Sequence, residues 1–368
     1  MSLITLIKKK NKLVIQISLL FSLITFFTIF FGSSLDARNR AITPLQSSIN
    51  INSFEWNKTW GGSSHEEVSG IALDSSGNIF ITGSIGLYGG EDDDNVFLLK
   101  YDSAGNYLWD KTWGQSDYDY CSGIATDSLG NVFITGRTYN YGTGSDDVFI
   151  LKYNSSGNLL WDKIWGGSED EWYPKIALDA SGNAFISGST ESYGAGHSDV
   201  FLLKYNSSGN LLWDKTWGGS DRERLIGIAL DDLGNAFIMG GTLSYGAGSD
   251  DVFILKYDSS GNLQWDKTWG GSGPDYASGI ALDPSGKEYI TGTTWSYGAG
   301  STDVFLLKYD LSGNLLWDKT WGGSSGDSGR EISVDYSGNV YITGTTSSYG
   351  EHCDAFLLKY DSLGNLLW

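Results

Sequence analysis

The sequence predicts an all-β fold, a six-bladed β-propeller of four-stranded antiparallel blades closed by an N-terminal outer strand. Three observations carry that expectation. The segment Phe97-Leu-Leu-Lys-Tyr-Asp102 returns five times, with its lysine at Lys100, Lys152, Lys204, Lys256, Lys308 and Lys359, a spacing of 52 residues that shortens to 51 at the last step. A period of this size belongs to propellers, solenoids and arrays, whose units cannot bury an apolar face alone. Each unit holds two hairpins, and the chain has 50 glycines but only 4 prolines, with abundant Val, Ile, Phe, Tyr and Thr and no sustained helical period in the repeats.

From the N-terminus, Lys8, Lys9, Lys10 and Lys12 precede the apolar run Leu13 to Phe31, followed by Gly32, Ser33 and Ser34. Residues 1–37 therefore read as a secretory signal or, uncleaved, a membrane anchor, since a span needs about 20 apolar residues. Residues 38–50 read as a linker and 51–368 as the propeller. Either fate of the leader exports the repeats, so the expected location is extracellular, secreted or anchored at the cell surface.

Within a repeat, strand A is of the kind Gly70-Ile-Ala-Leu-Asp74, and strand B of the kind Ile79-Phe-Ile-Thr-Gly83. The turn between them, Asp74-Ser-Ser-Gly-Asn78, pairs an Asx side chain that can bond the backbone two residues on with a glycine free to take positive φ. A longer loop such as Tyr245-Gly-Ala-Gly-Ser-Asp-Asp251 leads to strand C, Val148-Phe-Ile-Leu-Lys-Tyr153. A second turn of the same kind leads to strand D, Leu159-Leu-Trp-Asp-Lys-Ile-Trp165. Strands B and C hardly alternate, so these sheets are expected to be covered on both faces, as in radial packing. The paired tryptophans of strand D, four residues apart with a lysine between, suggest a packing ladder in which Lys111 and its equivalents lie between indoles. Phe54 to Trp60 is a lone D strand and is expected to pair with Ala355–Tyr360 and close the ring.

The composite Asp-x-Phe-Leu-Leu-Lys-Tyr-Asp-x-x-Gly-Asn-Leu-Leu-Trp, then Gly-Gly-Ser, then Gly-Ile-Ala-x-Asp-x-x-Gly-Asn-x-Phe-Ile-x-Gly resembles the SBBP family of β-propeller repeats over residues 54–368. That family is named for seven blades, and this chain holds six repeats. The resemblance implies a secreted or surface propeller without one shared activity. The hairpin register is also similar to NHL repeats, which places Gly70–Asp74 innermost, beside the central channel.

Charge and reactive residues exclude several functions. The chain carries a net −20, and its first fifty residues hold six basic residues and one acid, so the repeats are more acidic still. Nucleic acid and anionic lipid are thereby disfavoured, and the membrane enters only through an uncleaved N-terminal segment. Cys121 and Cys353 make no disulfide framework. His65, His197 and His352 lie in repeats one, three and six, too dispersed for a zinc site or a nucleophilic triad. No catalytic residue and no metal ligand set stands out, and no cofactor is expected. Calcium is the one ion considered, at the acid-rich loops Glu91–Asp94, Asp146/Asp147 and Asp250/Asp251. The column Asn95, Asp147, Asp199, Asp251, Asp303 and Asp354 reads instead as acceptors for loop amides.

The D–A and B–C loops are expected on one rim, opposite the Asx turns. Because the D–A loops vary while the framework repeats, that rim is the candidate binding face. Its contacts are expected at Glu66, Glu67, Tyr118, Tyr120, Glu171, Trp172, Tyr173, Arg222, Arg224, Asp275, Tyr276 and Arg330. The functional expectation is an exported, non-catalytic binding or adhesion module for a glycan or protein ligand. The alternatives are a propeller-type polysaccharide hydrolase or lyase and a purely structural surface repeat.

Overall fold

The computed structural model describes residues 2–9, 12–19, 57–86, 94–114, 118–139, 141–350 and 352–368. Residues 1–64 and 65–368 form separate compact units. In the first, Ser2–Lys9 and Lys12–Leu19 pair antiparallel, from Ser2 opposite Leu19 to Lys9 opposite Lys12. Most of the apolar run assigned to the leader, together with Phe54–Trp56 of the expected closing strand, lies outside the described residues.

The second unit is a series of antiparallel meanders, one per repeat, the first five with strands in the order A-B-C-D. Blade one comprises His65–Leu73, Ile79–Gly86, Asn95–Tyr101 and Tyr107–Trp113. Its equivalents recur through blade five, which ends at Leu315–Trp321. The Asx turns form as the sequence requires. In the first, Asp74 Oδ1 accepts the amides of Ser76 and Asn78 at 2.9 Å, and Gly77 sits at φ 77°.

Apolar side chains gather between blades rather than within them. One core joins Phe80, Val96 and Leu98 of blade one to Val132, Ile134, Phe149 and Leu151 of blade two, and four similar cores follow. Radial stacking thus explains why strands B and C are apolar on both faces. At the inner end, the Cβ that would replace an Hα on Gly123 meets Ile176 Cγ2 of the next blade at 3.2 Å. Glycine there lets adjacent A strands approach. Lys175 and Glu331 occupy the same position in blades three and six, and the ammonium of Lys175 lowers the Glu331 carboxyl, against a larger upward push from burial.

The lysine expectation needs correcting. No D-strand lysine lies over a ring among the described residues. The buried lysine is that of strand C. Lys152 Nζ sits 4.6 Å from the Phe133 ring centre, donates to the Ser207 carbonyl of the next blade at 2.8 Å, and lies 3.8 Å from Asp127. Lys100, Lys204, Lys256 and Lys308 make the same inter-blade bond. Strand D is outermost, and its lysines are half-buried at Lys111, Lys163 and Lys215 and exposed at Lys267 and Lys319. Its tryptophans do pack, since Trp165 lies 4.5 Å from the Phe201 ring of the next blade.

Blade six differs. Its sheet has three strands, Asp327–Val334, Val340–Thr346 and Asp354–Tyr360, with Leu366–Trp368 beginning a fourth through the Lys359 amide and the Trp368 carbonyl at 2.9 Å. Among the described residues no strand packing comparable to the other junctions joins blade six to blade one. Leu357 is accordingly 49 % exposed, where its equivalent Leu306 is 1 % exposed. The structure shows the repeated blades but not a closed ring.

Glu288 starts strand B of blade five, where blades three and four have Ala184 and Ala236. It is fully buried, neither carboxyl oxygen has a partner, and burial raises its pKa well above the ordinary value. A raised acid pKa means the folded form holds its proton longer than the unfolded form, so the relative stability falls as pH rises from the unfolded value. Glu288→Ala should therefore stabilise the protein by about 1–3 kcal/mol near neutral pH. Urea denaturation at pH 8 and pH 5 should show the gain shrinking in acid.

Candidate binding rim

The D–A and B–C loops meet on one rim, where the four junctions from blades two and three to blades five and six are held by the same latch. At the junction of blades two and three, strand D ends in Trp165-Gly-Gly167. The Tyr193 ring lies 5.1 Å from the Trp165 ring, and its hydroxyl donates to the Gly166 carbonyl at 2.8 Å. Tyr245, Tyr297 and Tyr349 repeat that bond to Gly218, Gly270 and Gly322. Two acids complete the latch. Asp147 Oδ2 accepts the amides of Thr143 and Gly144 at 3.0 and 3.2 Å, and Glu171 accepts from Thr190 Oγ1 at 2.7 Å and the Gly167 amide at 3.1 Å. The expected amide-accepting role is thus seen at Asp147, and likewise at Asp199, Asp251 and Asp303.

Both carboxylates press on Gly166. A Cβ built there would lie 1.9 Å from Asp147 Oδ1 and 2.2 Å from Glu171 Oε2. Gly218, Gly270 and Gly322 are enclosed in the same way by Asp199/Glu223, Asp251/Asp275 and Asp303/Asp327. The variable loops therefore stand on a rigid, repeated base.

Of the residues expected on the binding face, Glu171 and Asp275 are not at the surface at all. Both are fully buried in latches, where their carboxylates satisfy loop amides and hydroxyls. Glu67, Arg222, Arg224 and Arg330 are exposed, Tyr173 and Tyr276 are exposed by 56 % and 37 %, and Glu66, Tyr118, Tyr120 and Trp172 are half-buried. The structure joins some of these into clusters. Tyr118 stacks on Tyr120 at 5.7 Å, and Arg137 covers Tyr120 at 4.9 Å while pairing with Asp146 at 2.8 Å. Trp172 lies 6.1 Å from Tyr173, and the Arg224 guanidinium lies 6.0 Å from the Tyr276 ring. Arg222, Arg224 and Arg330 form no ion pair among the described residues. Tyr173 is the one described non-glycine residue at positive φ, 52°, beside a bulge between Trp172 and Lys175 that redirects these side chains.

Arg137, Asp146 and Asp250 were not singled out by sequence reasoning for this cluster. Their signal is a comparison between repeats. Arg137 faces Asp146, whereas blade four has Gly241 in place of the arginine, and a Cβ there would lie 2.5 Å from Asp250 Oδ1. Asp250 consequently lacks a guanidinium partner on its own strand pair. Burial raises its pKa to about 6, opposed by Arg224 and reinforced by Asp251 and Asp275. Among the described residues no three His, Cys, Asp or Glu side chains come together as a metal set, and Glu91, Asp92 and Asp93 lie outside those residues.

The family description "Beta-propeller repeat" (SBBP) matches residues 113–142 and 321–350. The chain carries SBBP-type β-propeller repeats. Each matched segment runs from a D-strand tryptophan, Trp113 or Trp321, to the glycine after a latch tyrosine, Gly142 or Gly350, so the SBBP unit bridges two blades. An uncharacterized WD repeat-containing protein, L264, of Acanthamoeba polyphaga mimivirus is 22 % identical over 390 residues, covering 81 % of this chain and 27 % of that protein. Regulatory protein FlaEY of Caulobacter vibrioides is 29 % identical over 175 residues, covering 41 % of this chain and 18 % of its own length. The chain thus spans little more than a quarter of the longer match and less of the other. Among solved structures, a polysaccharide lyase, ulvan lyase, aligns with a TM-score of 0.50 at 11 % identity over 80 % of each chain. The β-propeller domain of the Trilobed protease from Pyrococcus furiosus aligns at 0.49 and 8 % identity over 82 % of each chain. At these identities the likeness concerns the fold alone.

Two predictions follow from the latch. Gly166→Ala should cost more than about 2 kcal/mol by urea denaturation, because neither carboxylate can retreat without losing a buried bond, while Ser168→Ala should be nearly neutral. For pH, Asp147, Glu171, Asp199, Asp250 and Asp251 are raised chiefly by burial, whereas the turn acids Asp102, Asp258, Asp310 and Asp361 are lowered chiefly by their bonds to asparagine. Asp250 favours folding as pH falls through about 6, the other raised acids act in the same direction, and the lowered group loses its contribution as pH falls below about 4. Thermal melts from pH 3 to 8 should therefore peak near pH 5 rather than at neutrality.

Proposed function

We propose that this chain is an exported, non-catalytic binding or adhesion module of the cell surface that recognises a glycan or protein ligand through its latch-side rim. The observation that carries this reading is the contrast at the blade tops. The latches repeat almost unchanged, while the strand-A position after the first acid of each blade varies as Glu67, Tyr120, Trp172, Arg224, Tyr276 and Ser328. A rigid base bearing different aromatic and charged groups is suited to recognition. The N-terminal lysines and apolar run support export, and the acidic repeats argue against nucleic acid.

One constellation favours the enzymatic alternative, a polysaccharide hydrolase or lyase. Asp250, with its pKa near 6, is acted on by Arg224, whose guanidinium lies 6.0 Å from the Tyr276 ring, a combination that could exchange a proton next to an anionic sugar. The fold likeness to ulvan lyase keeps polysaccharide among the ligands to test.

A glycan array with the exported form, followed by assays for reducing sugar and for unsaturated products on each bound glycan, separates the readings. The binding reading expects ligand capture, at least a tenfold loss in Arg224→Ala/Tyr276→Ala, and no product. Product formation abolished by Asp250→Asn would establish the alternative.

A further inference from the structure

The Asx-x-x-Gly turns lie on the opposite rim and use only their first and last residues for geometry. The two residues between them are mostly serine or alanine, but large apolar residues stand there at Leu129, Leu233, Pro284, Leu311, Tyr336 and Leu363. Nothing in the turn requires them. Leu233 is 79 % exposed and Tyr336 is 91 % exposed, so they stabilise no core. Yet Leu233, Pro284, Leu311 and Tyr336 converge, from blades four, five and six, on one hollow of about 450 Å³. Between them lie Leu230, Leu282 and Val334, the last residues of three successive A strands, which places the hollow where those innermost strands end.

The charged lining has one sign. It consists of Asp231, Asp232, Asp283 and Asp335, with no lysine, arginine or histidine. Asp231 and Asp335 are fixed by bonds to Asn235 and Asn339, and Asp283 by bonds to Ser285, with Lys287 and Lys308 near enough to act on its charge. Asp232 makes no side-chain hydrogen bond and faces solvent.

We propose that this hollow is a second binding site, for a cationic aliphatic peptide segment of a partner protein, in which lysine or arginine is flanked by leucine-like residues. Its volume suits a few side chains. The partner's aliphatic groups cover Leu233, Leu311 and Tyr336, which otherwise form an apolar patch in water. Lysine or arginine stems lie along the same surface, with their charged heads against Asp232 and the Tyr336 ring. The net −20 of the chain draws cationic partners toward it. The site is independent of the latch-side rim and of whatever ligand that rim takes.

The test is fluorescence anisotropy with a labelled Leu-Lys-Leu-Arg-Leu amide as probe and Leu-Glu-Leu-Glu-Leu as control, on the full chain. Saturable binding is expected for the basic peptide alone, weakening with added salt. Leu233→Ser/Tyr336→Ser should weaken it at least tenfold. Both positions are solvent-exposed and the pair leaves the charge unchanged, so circular dichroism should stay the same and the loss reports the hollow rather than general attraction to an acidic protein. Asp232→Asn should weaken binding by a smaller factor, and Arg224→Ala/Tyr276→Ala on the other rim should leave it intact. Equal binding by the double variant, binding of the acidic peptide, or no saturation would each overturn the proposal, without touching the result of the glycan array.

Discussion

Cohesion in this molecule depends on the contact between one blade and the next. Every buried cluster spans a junction, and each of the five lysines from Lys100 to Lys308 carries its ammonium across a junction to a backbone carbonyl. A lysine nearly removed from water is costly unless its donors are used. Here the aromatic ring beneath, the carbonyl ahead and a nearby turn aspartate offset that cost. The arrangement ties the second Asx turn of one blade to the interior of its neighbour, so the apolar stack and its polar edge form together.

The rim chemistry follows from the same constraint. Because adjacent blades must approach closely, the chain passes from one D strand to the next A strand through Gly-Gly, and that tight link needs its amides satisfied. The buried aspartates and glutamates supply acceptors, and the latch tyrosine supplies the donor for the first carbonyl. What looks in the sequence like an acid-rich, divergent loop is thus divided in two. The acids that begin strands A and C are structural, while the residue after the strand-A acid varies from blade to blade. Sequence diversity on strand A is thus carried by a narrow set of positions on a base that barely changes.

The repeat frame was legible because its signals are local. Glycine after an Asx residue dictates a turn wherever it occurs, and the turn glycines from Gly77 to Gly364 all take positive φ. Strand order and the strand-C acceptor aspartates could be read for the same reason. The role of the lysines could not. Lys100 and Lys111 both stand between apolar neighbours, and only the position of the next blade decides which is enclosed. Glu171 and Asp275 misled for a related reason, since an acid in a variable loop looks exposed until the neighbouring Gly-Gly link is placed against it. The turn-side hollow was invisible because its apolar residues come from four turns far apart in sequence. Blade six shows the converse, with Leu357 keeping the core sequence while no blade among the described residues buries it.

The account's central claim is that stability resides at the junctions rather than in the individual sheets. Native-state hydrogen exchange, resolved to single amides, tests it most directly. The B and C strands of blades two to five should exchange together and slowest, as one cooperative unit, while Leu357 and Thr343 of blade six exchange measurably faster than Leu306 and Thr291 of blade five. Equal protection of blade six, or independent exchange of each blade with its own stability, would contradict the claim.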